Sequence, residues 1–310
     1  MTLPKAFVWR RLHSLTGIWL VLFLIIHLVA NSQAALFFGE DGQGFIKAAN
    51  DIRNLPYLLA IEVGLLAIPF IIHIVWGIQY LMTSESNSIS SDGSKPALPE
   101  YPRNQAYTWQ RITSWILLVL ITLHVVQMRF MEAPVSTQVG AQKYFVIRVH
   151  EDAGLFPLAE RLDVKLLNHR QAQQEIENNA SKELPEGNSA EALVEKQRIS
   201  QEQNWKDAIS SLPLNDEQLL VIAKNFGTAE LLMVRETFKM PLMLVLYTVL
   251  VLSACFHAFN GLWTFCITWG ITQSPDSQNK MRSFSTFLMC VIAFIGLAAI
   301  WGSYWINLKQ

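Results

Sequence analysis

Charge is scarce in this chain of 310 residues: only 16% are Asp, Glu, Lys or Arg, against about a quarter in an ordinary soluble domain. That shortfall argues against a conventional water-soluble globule and for a protein of the lipid bilayer. No sign dominates either. The formal net charge is −1, and no basic stripe runs along any segment, which speaks against a nucleic-acid partner. Cysteine is sparse: Cys255, Cys266 and Cys290 all sit in apolar runs, lack metal-ligand spacing and read as small buried hydrophobes. Repeats and low-complexity tracts are missing too.

Apolar residues make up 51% of the chain, with ten Trp. The charge that exists is concentrated: 28 of the 49 charged side chains fall between residues 132 and 238. Five stretches, 15–38, 56–83, 108–131, 240–271 and 284–306, reach the roughly 20 apolar residues needed to cross a bilayer. They predict three parts, with membrane helices 1–3 in residues 1–131, a charged insert at 132–238, and helices 4 and 5 in 239–310. A polar linker, irregular by its Ser, Pro and Gly content, occupies 84–103. In the insert, composition suggests short helices, for example 171–182 and 216–234, broken near Pro185-Glu186-Gly187 and Pro213. The N-terminal run superficially resembles a signal peptide, but it is longer than an ordinary h-region and carries His27. The fold class expected is therefore an all-α membrane protein with a charged, partly helical insert.

Lys and Arg set the orientation. Lys5, Arg10, Arg11, Lys95, Arg103, Arg111, Lys280 and Arg282 lie on one side. Lys47, Arg53, Arg129, Lys239 and Lys309 lie on the other once the long insert is set aside. The excess places the N-terminus in the cytoplasm and the insert outside.

Four of the seven histidines, His27, His73, His124 and His257, lie inside four different apolar runs. An imidazole in hydrocarbon is costly and by default marks function. At 1.5 Å of rise per residue, His73 and His257 lie about 24–26 Å below the outer helix ends, and His27 and His124 only about 15 Å below them. The four thus sort into an outer pair, His27 with His124, and an inner pair, His73 with His257. Gly77 and Gly261 each follow an inner histidine by four residues and share its helix face, leaving a patch free of side chains. Two pairs of imidazoles at different depths cannot build a closed zinc tetrahedron and suit haem iron better. His150 and His169, in the charged insert, read as solvated.

The motifs around these histidines resemble a known family. They are Arg11-Leu12-His13-Ser14-Leu15-Thr16-Gly17, Ile26-His27-Leu28-Val29-Ala30-Asn31, Leu55-Pro56 with Glu62, and His73-Ile74-Val75-Trp76-Gly77. They continue with Gln110-Arg111-Ile112-Thr113, with Phe256-His257-Ala258-Phe259-Asn260-Gly261-Leu262-Trp263, and with Thr268-Trp269-Gly270-Ile271-Thr272. Together they are similar to the large, five-helix, di-haem cytochrome b subunit of succinate dehydrogenases and fumarate reductases. The resemblance covers residues 6–131 and 240–305 and says nothing about 132–238. Some members carry a glutamate beside the fourth haem histidine; here Cys255 and Phe256 stand there, so a proton route through such a residue is not expected.

The resemblance implies a bundle of the first four helices holding two haems b, with His27, His73, His124 and His257 as axial ligands. It implies a bacterial-type cytoplasmic membrane, and partner flavoprotein and iron–sulfur subunits that carry FAD and the clusters. Electrons then pass from the clusters through the inner and outer haems to quinone, in support of the tricarboxylic acid cycle, and this subunit does no chemistry on succinate. Arg11, His13, Ser14 and Arg111 are the candidates for meeting haem propionates. Glu62, Asn31, Ser32, Gln127 and Arg129 are the candidates for quinone, Glu62 foremost because a carboxylate inside a membrane helix is expensive. Two other readings stay open: a di-haem cytochrome b serving another dehydrogenase, and a haem-free proton-coupled transporter.

Overall fold

The computed structural model describes residues 4–35, 40–83, 88, 98, 100–178, 185–187 and 189–305. Most of the 84–103 linker lies outside the described residues, as do Phe38, Lys95, Lys182 and Lys309. Five helices are long and apolar enough to cross a membrane: α1 (Lys5–Ser32), α3 (Leu58–Thr83), α4 (Pro102–Met131), α9 (Pro241–Thr268) and α10 (Pro275–Trp305). The chain is a predominantly helical, multi-pass membrane protein. Two of these helices contain π-helical turns, Glu62–Ala67 in α3 and Val126–Met131 in α4. Helix α10 begins nine residues before its apolar stretch because Ser274 and Pro275 start it. The Ser274 hydroxyl accepts the Ser277 N–H at 3.1 Å, and Pro suits the first helical position, where no N–H is needed.

The chain divides into two compact units. The first comprises Met1–Asn31, Leu55–Val125 and Val245–Leu297, and the second Ser32–Asn54, Val126–Leu244 and Ala298–Gln310. In the first, large apolar side chains face outward, among them Leu59, Ile71 and Val75 of α3. Such a surface is stable against lipid and not against water. Cys255 and Cys266 are buried, whereas Cys290 is exposed on α10, contrary to the expectation of three buried thiols.

The second unit contains what composition did not reveal, a four-stranded antiparallel sheet. Its strands are β1 (Val135–Val139), β2 (Gln142–His150), β3 (Lys165–Leu167) and β4 (Gln218–Ala223), in the order β1-β2-β4-β3. Residues 216–234, expected as one helix, are instead β4 followed by α8 (Phe226–Lys239). The run Leu219-Leu220-Val221-Ile222-Ala223 is buried on both faces, and a short continuous apolar run has no periodicity to tell strand from helix. Asn225 then caps α8, its side chain accepting the Thr228 N–H at 2.9 Å. Between β2 and β4 run α5 (Leu155–Arg161), α6 (His169–Asn178), which lies within the predicted 171–182 helix apart from its first two residues, and α7 (Ala190–Ser210).

Helix α2 (Gln43–Arg53), from the segment between the first two spanning helices, packs on α8 in the same unit. The approach is close: a Cβ on Gly227 would lie 2.3 Å from the Ile46 carbonyl oxygen. Asn50 locks the contact, accepting the Gly227 N–H at 2.8 Å and donating to Asn225 at 3.1 Å.

Candidate functional site

Within the first unit, α1 and α4 bring the His27 and His124 rings to 5.9 Å between centroids, with planes at 74°. Helices α3 and α9 bring His73 and His257 to 6.2 Å at 79°. Two imidazoles on opposite sides of one ion have centres about 6.2 Å apart, from metal–nitrogen bonds of about 2.0 Å plus roughly 1.1 Å within each ring. Both pairs have that spacing. Among the described residues no group of three or more His, Cys, Asp or Glu side chains is arranged to hold a metal ion, so the ligand chemistry present is that of two-imidazole sites.

Hydrogen bonds fix the tautomer of the inner pair. His73 Nδ1 lies 3.2 Å from the His13 carbonyl oxygen; a carbonyl only accepts, so Nδ1 carries the proton and Nε2 the lone pair. The Thr113 and Ser114 hydroxyls each lie 3.4 Å from His257 Nδ1. Both already donate within α4, Thr113 to the Trp109 carbonyl at 2.8 Å and Ser114 to the Gln110 carbonyl at 2.7 Å, so toward His257 they accept, and its Nε2 holds the lone pair as well. His124 Nδ1 sits 3.2 Å from the Tyr247 hydroxyl. Metal-binding histidines are commonly oriented in this way, through the nitrogen that does not ligate. Gln110 adds a clamp between α4 and α9, donating to the His257 carbonyl at 3.1 Å and accepting from Asn260 at 2.7 Å.

Space around the inner pair depends on glycine. A Cβ on Gly17 of α1 would come to 3.0 Å from His73 Cε1, so any larger residue there pushes the ring. Gly261 faces open space, with no heavy atom within 4 Å of where its Cβ would be. The Gly77 patch, expected to be open, faces His13 instead, with 3.8 Å from the Cβ position to His13 Cε1. Two imidazole pairs, the inner one with defined tautomers and an open flank at Gly261, fit a flat macrocycle such as haem.

Of the propionate candidates, Arg11 and Ser14 meet at Trp269. The Arg11 guanidinium lies 4.9 Å from a Trp269 ring centroid, and Ser14 Oγ accepts from the indole N–H at 3.3 Å. Arg111 lies over Tyr107, 4.8 Å from its ring centroid, and His13 stacks on His73. The quinone candidates divide between the two units. Asn31 and Glu62 belong to the first unit, whereas Ser32, Gln127 and Arg129 belong to the second. Asn31 donates to the His27 carbonyl at 2.8 Å, a bond along its own helix. Glu62 opens one π-helical segment, and Gln127 and Arg129 lie in the other; such turns are frequent at functional sites.

Sequence reasoning missed Tyr247, Thr113 and Ser114 as partners of the histidines. Hydroxyl residues are common in membrane helices and carry no spacing that ties them to a histidine on another helix. It also missed the polar interior of the second unit. Arg235, 1% exposed, pairs with Asp152 through contacts of 2.8 and 2.6 Å, and Lys239 joins at 2.9 Å. Burial alone would raise the Asp152 carboxyl, but hydrogen bonds from Arg235 and Lys239 outweigh it and hold it at about 2. Burial pushes Glu230 up to about 7 against the opposing pull of Arg129 and Arg53. His150 is not simply solvated: its Nδ1 lies 2.6 Å from Glu236. His169 does stay at the surface, beside Gln173 at 2.9 Å. A groove of about 700 Å³ in the second unit is lined by Tyr144, Trp205, Asp163, Lys224 and Arg198. Its charges neutralise one another in pairs such as Lys224 with Asp163.

No family model matches the chain, and no solved structure matches it. Among curated proteins it is similar to the succinate dehydrogenase cytochrome b558 subunit of Bacillus subtilis (strain 168). The two are 26% identical over 297 residues, spanning 96% of this chain and 96% of that protein. The full-length likeness and the histidine motifs point the same way: this chain resembles a cytochrome b subunit of succinate dehydrogenase.

Proposed function

We propose that this chain is the di-haem b membrane anchor of a succinate:quinone oxidoreductase. The observation that carries the reading is the pair of two-imidazole sites, 5.9 and 6.2 Å between ring centres, built from four separate spanning helices. His27 with His124, and His73 with His257, are the residues to hold the haems. Bound haem b supplies a one-electron carrier whose potential follows ligation, burial and outer hydrogen bonds.

The chain's own residues do the rest. His13, Thr113, Ser114 and Tyr247 orient the ligating rings through Nδ1. Arg11, Ser14 and Arg111, with His13, lie at the cytoplasmic end of the bundle, where forked guanidinium donors suit propionate carboxylates. Arg10 and Lys5 add positive charge on that side, where an iron–sulfur subunit and its flavoprotein dock. In a five-span chain with a cytoplasmic N-terminus, residues 32–54, the insert and the C-terminus all emerge outside. By their positions in the sequence, the quinone candidates Glu62, Asn31, Ser32, Gln127 and Arg129 fall at the outer ends of their own helices. The chain itself performs no chemistry on succinate and carries electrons between its partners and quinone.

The test is a succinate:quinone reductase assay on the complex purified through this chain, with flavin and haem b measured on the same sample. The reading expects co-purifying flavin and succinate-dependent quinone reduction. Haem b without either points to a membrane cytochrome of another dehydrogenase. Absence of haem b contradicts the reading and favours a haem-free transporter.

A further inference from the structure

A fifth histidine lies against the inner pair. His13 of α1 stacks flat on His73, with ring centroids 4.1 Å apart and planes only 11° apart. On α3 the residues His73, Gly77 and Tyr80 share one helix face, and the His13 ring lies along it. Tyr80 meets it edge-on at 5.4 Å, and Gly77 leaves the space its Cε1 faces. Among the described residues His13 Nδ1 has no hydrogen-bond partner, so the ring is held here by its face. The same residue's carbonyl accepts the His73 Nδ1–H at 3.2 Å. One residue therefore grips His73 twice, at the edge through a main-chain oxygen and across the face through an imidazole.

We propose that His13 is a positioning residue that sets the plane of the His73 ring relative to His257. The proposal rests on the reading of His73 and His257 as axial ligands of one haem. A single hydrogen bond to Nδ1 leaves the imidazole able to pivot about its own axis, and outer contacts of this kind decide ring orientation. The flat stack removes that freedom. The backbone carbonyl survives any substitution at residue 13, so side-chain variants separate the stack from the hydrogen bond.

The experiment is electron paramagnetic resonance of the oxidised complex carrying His13→Leu or His13→Phe, beside the wild type, with haem b counted in each. The low-spin ferric signal of a bis-imidazole iron depends on the angle between the two ring planes. Leu fills the slot without a plane to stack, whereas Phe keeps the plane and drops the ring nitrogens. The expected result is that His13→Leu displaces or abolishes one of the two low-spin signals and leaves the other, and that His13→Phe restores the wild-type position. Unchanged signals in His13→Leu overturn the proposal. Equal displacement or loss in both variants also overturns it, since the ring nitrogens and not the flat face are then what matter. A wild-type complex without haem b overturns both this proposal and the functional reading beneath it. A wild type with two haems that His13→Leu leaves untouched overturns only this one.

Discussion

The four-histidine unit turns large apolar side chains outward, with Leu59 71%, Ile71 60% and Phe287 63% exposed, and keeps polar groups in contact across its helices. In the second unit Val146, Leu220 and Val221 are fully buried, and ion pairs such as Lys165 with Glu175 at 2.7 Å occupy the surface. Each arrangement matches its solvent: a hydrocarbon surroundings makes a polar side chain the exception, and water makes it the rule. The difference teaches where chemistry can be read from sequence. In an apolar background four imidazoles stand out. In a background rich in charge, the Asp152–Arg235 pair looks like any other pair of charged residues, although Arg235 is among the most buried side chains in the chain.

Substitutions in the two units should therefore fail in different ways. The largest effect is expected in the first. His257→Ala should remove the inner haem and leave the outer, halving haem b per chain, and His73→Ala should remove the same one. Retention of both haems in either variant breaks the pairing. In the second unit the loss should be of folding and not of cofactor. Asp152→Ala leaves Arg235 buried without its bidentate partner, and removing one member of a buried pair costs about 3–5 kcal/mol. Thermal unfolding of the detergent-solubilised full chain measures this, and an unchanged midpoint contradicts it. Gly227→Ala forces a methyl to 2.3 Å from the Ile46 carbonyl oxygen, so α2 and α8 must separate, at a cost of about 1–3 kcal/mol. The same unfolding experiment tests it.

The smallest effect is a pH dependence. Glu230 is held protonated up to about 7, whereas an ordinary glutamate ionises near 4.5. Between those values the folded chain keeps a proton that the unfolded chain has released, so stability falls as pH rises. The contribution is full below about 4.5 and lost through about 7. Glu230→Gln should flatten that part of the wild-type stability profile. Parallel profiles for the two proteins sink this assignment.

The membrane helices were legible because length and apolarity suffice to define them, and only their ends moved, as at Ser274-Pro275. The histidines were legible as a set because each stands alone in its run. The neighbours that orient them were not: the contact between Tyr247 and His124 joins residues 123 positions apart, and nothing local announces it. The slot that receives His13 was half visible. Gly77 marks a bare patch on its helix, but such a patch does not say what lies against it. The sheet was hidden for the opposite reason. Strand β4 is apolar throughout because both its faces are buried, and its alternation, the usual mark of a strand, is lost. Helix α2 lies between the first two spanning stretches, where no element is predicted, and its partner α8 lies far along the chain.

The central claim is that the two histidine pairs hold two haems. A pyridine haemochrome determination on the purified complex, referred to the amount of this chain, tests it most directly. The account predicts two haems b per chain; none at all would contradict it.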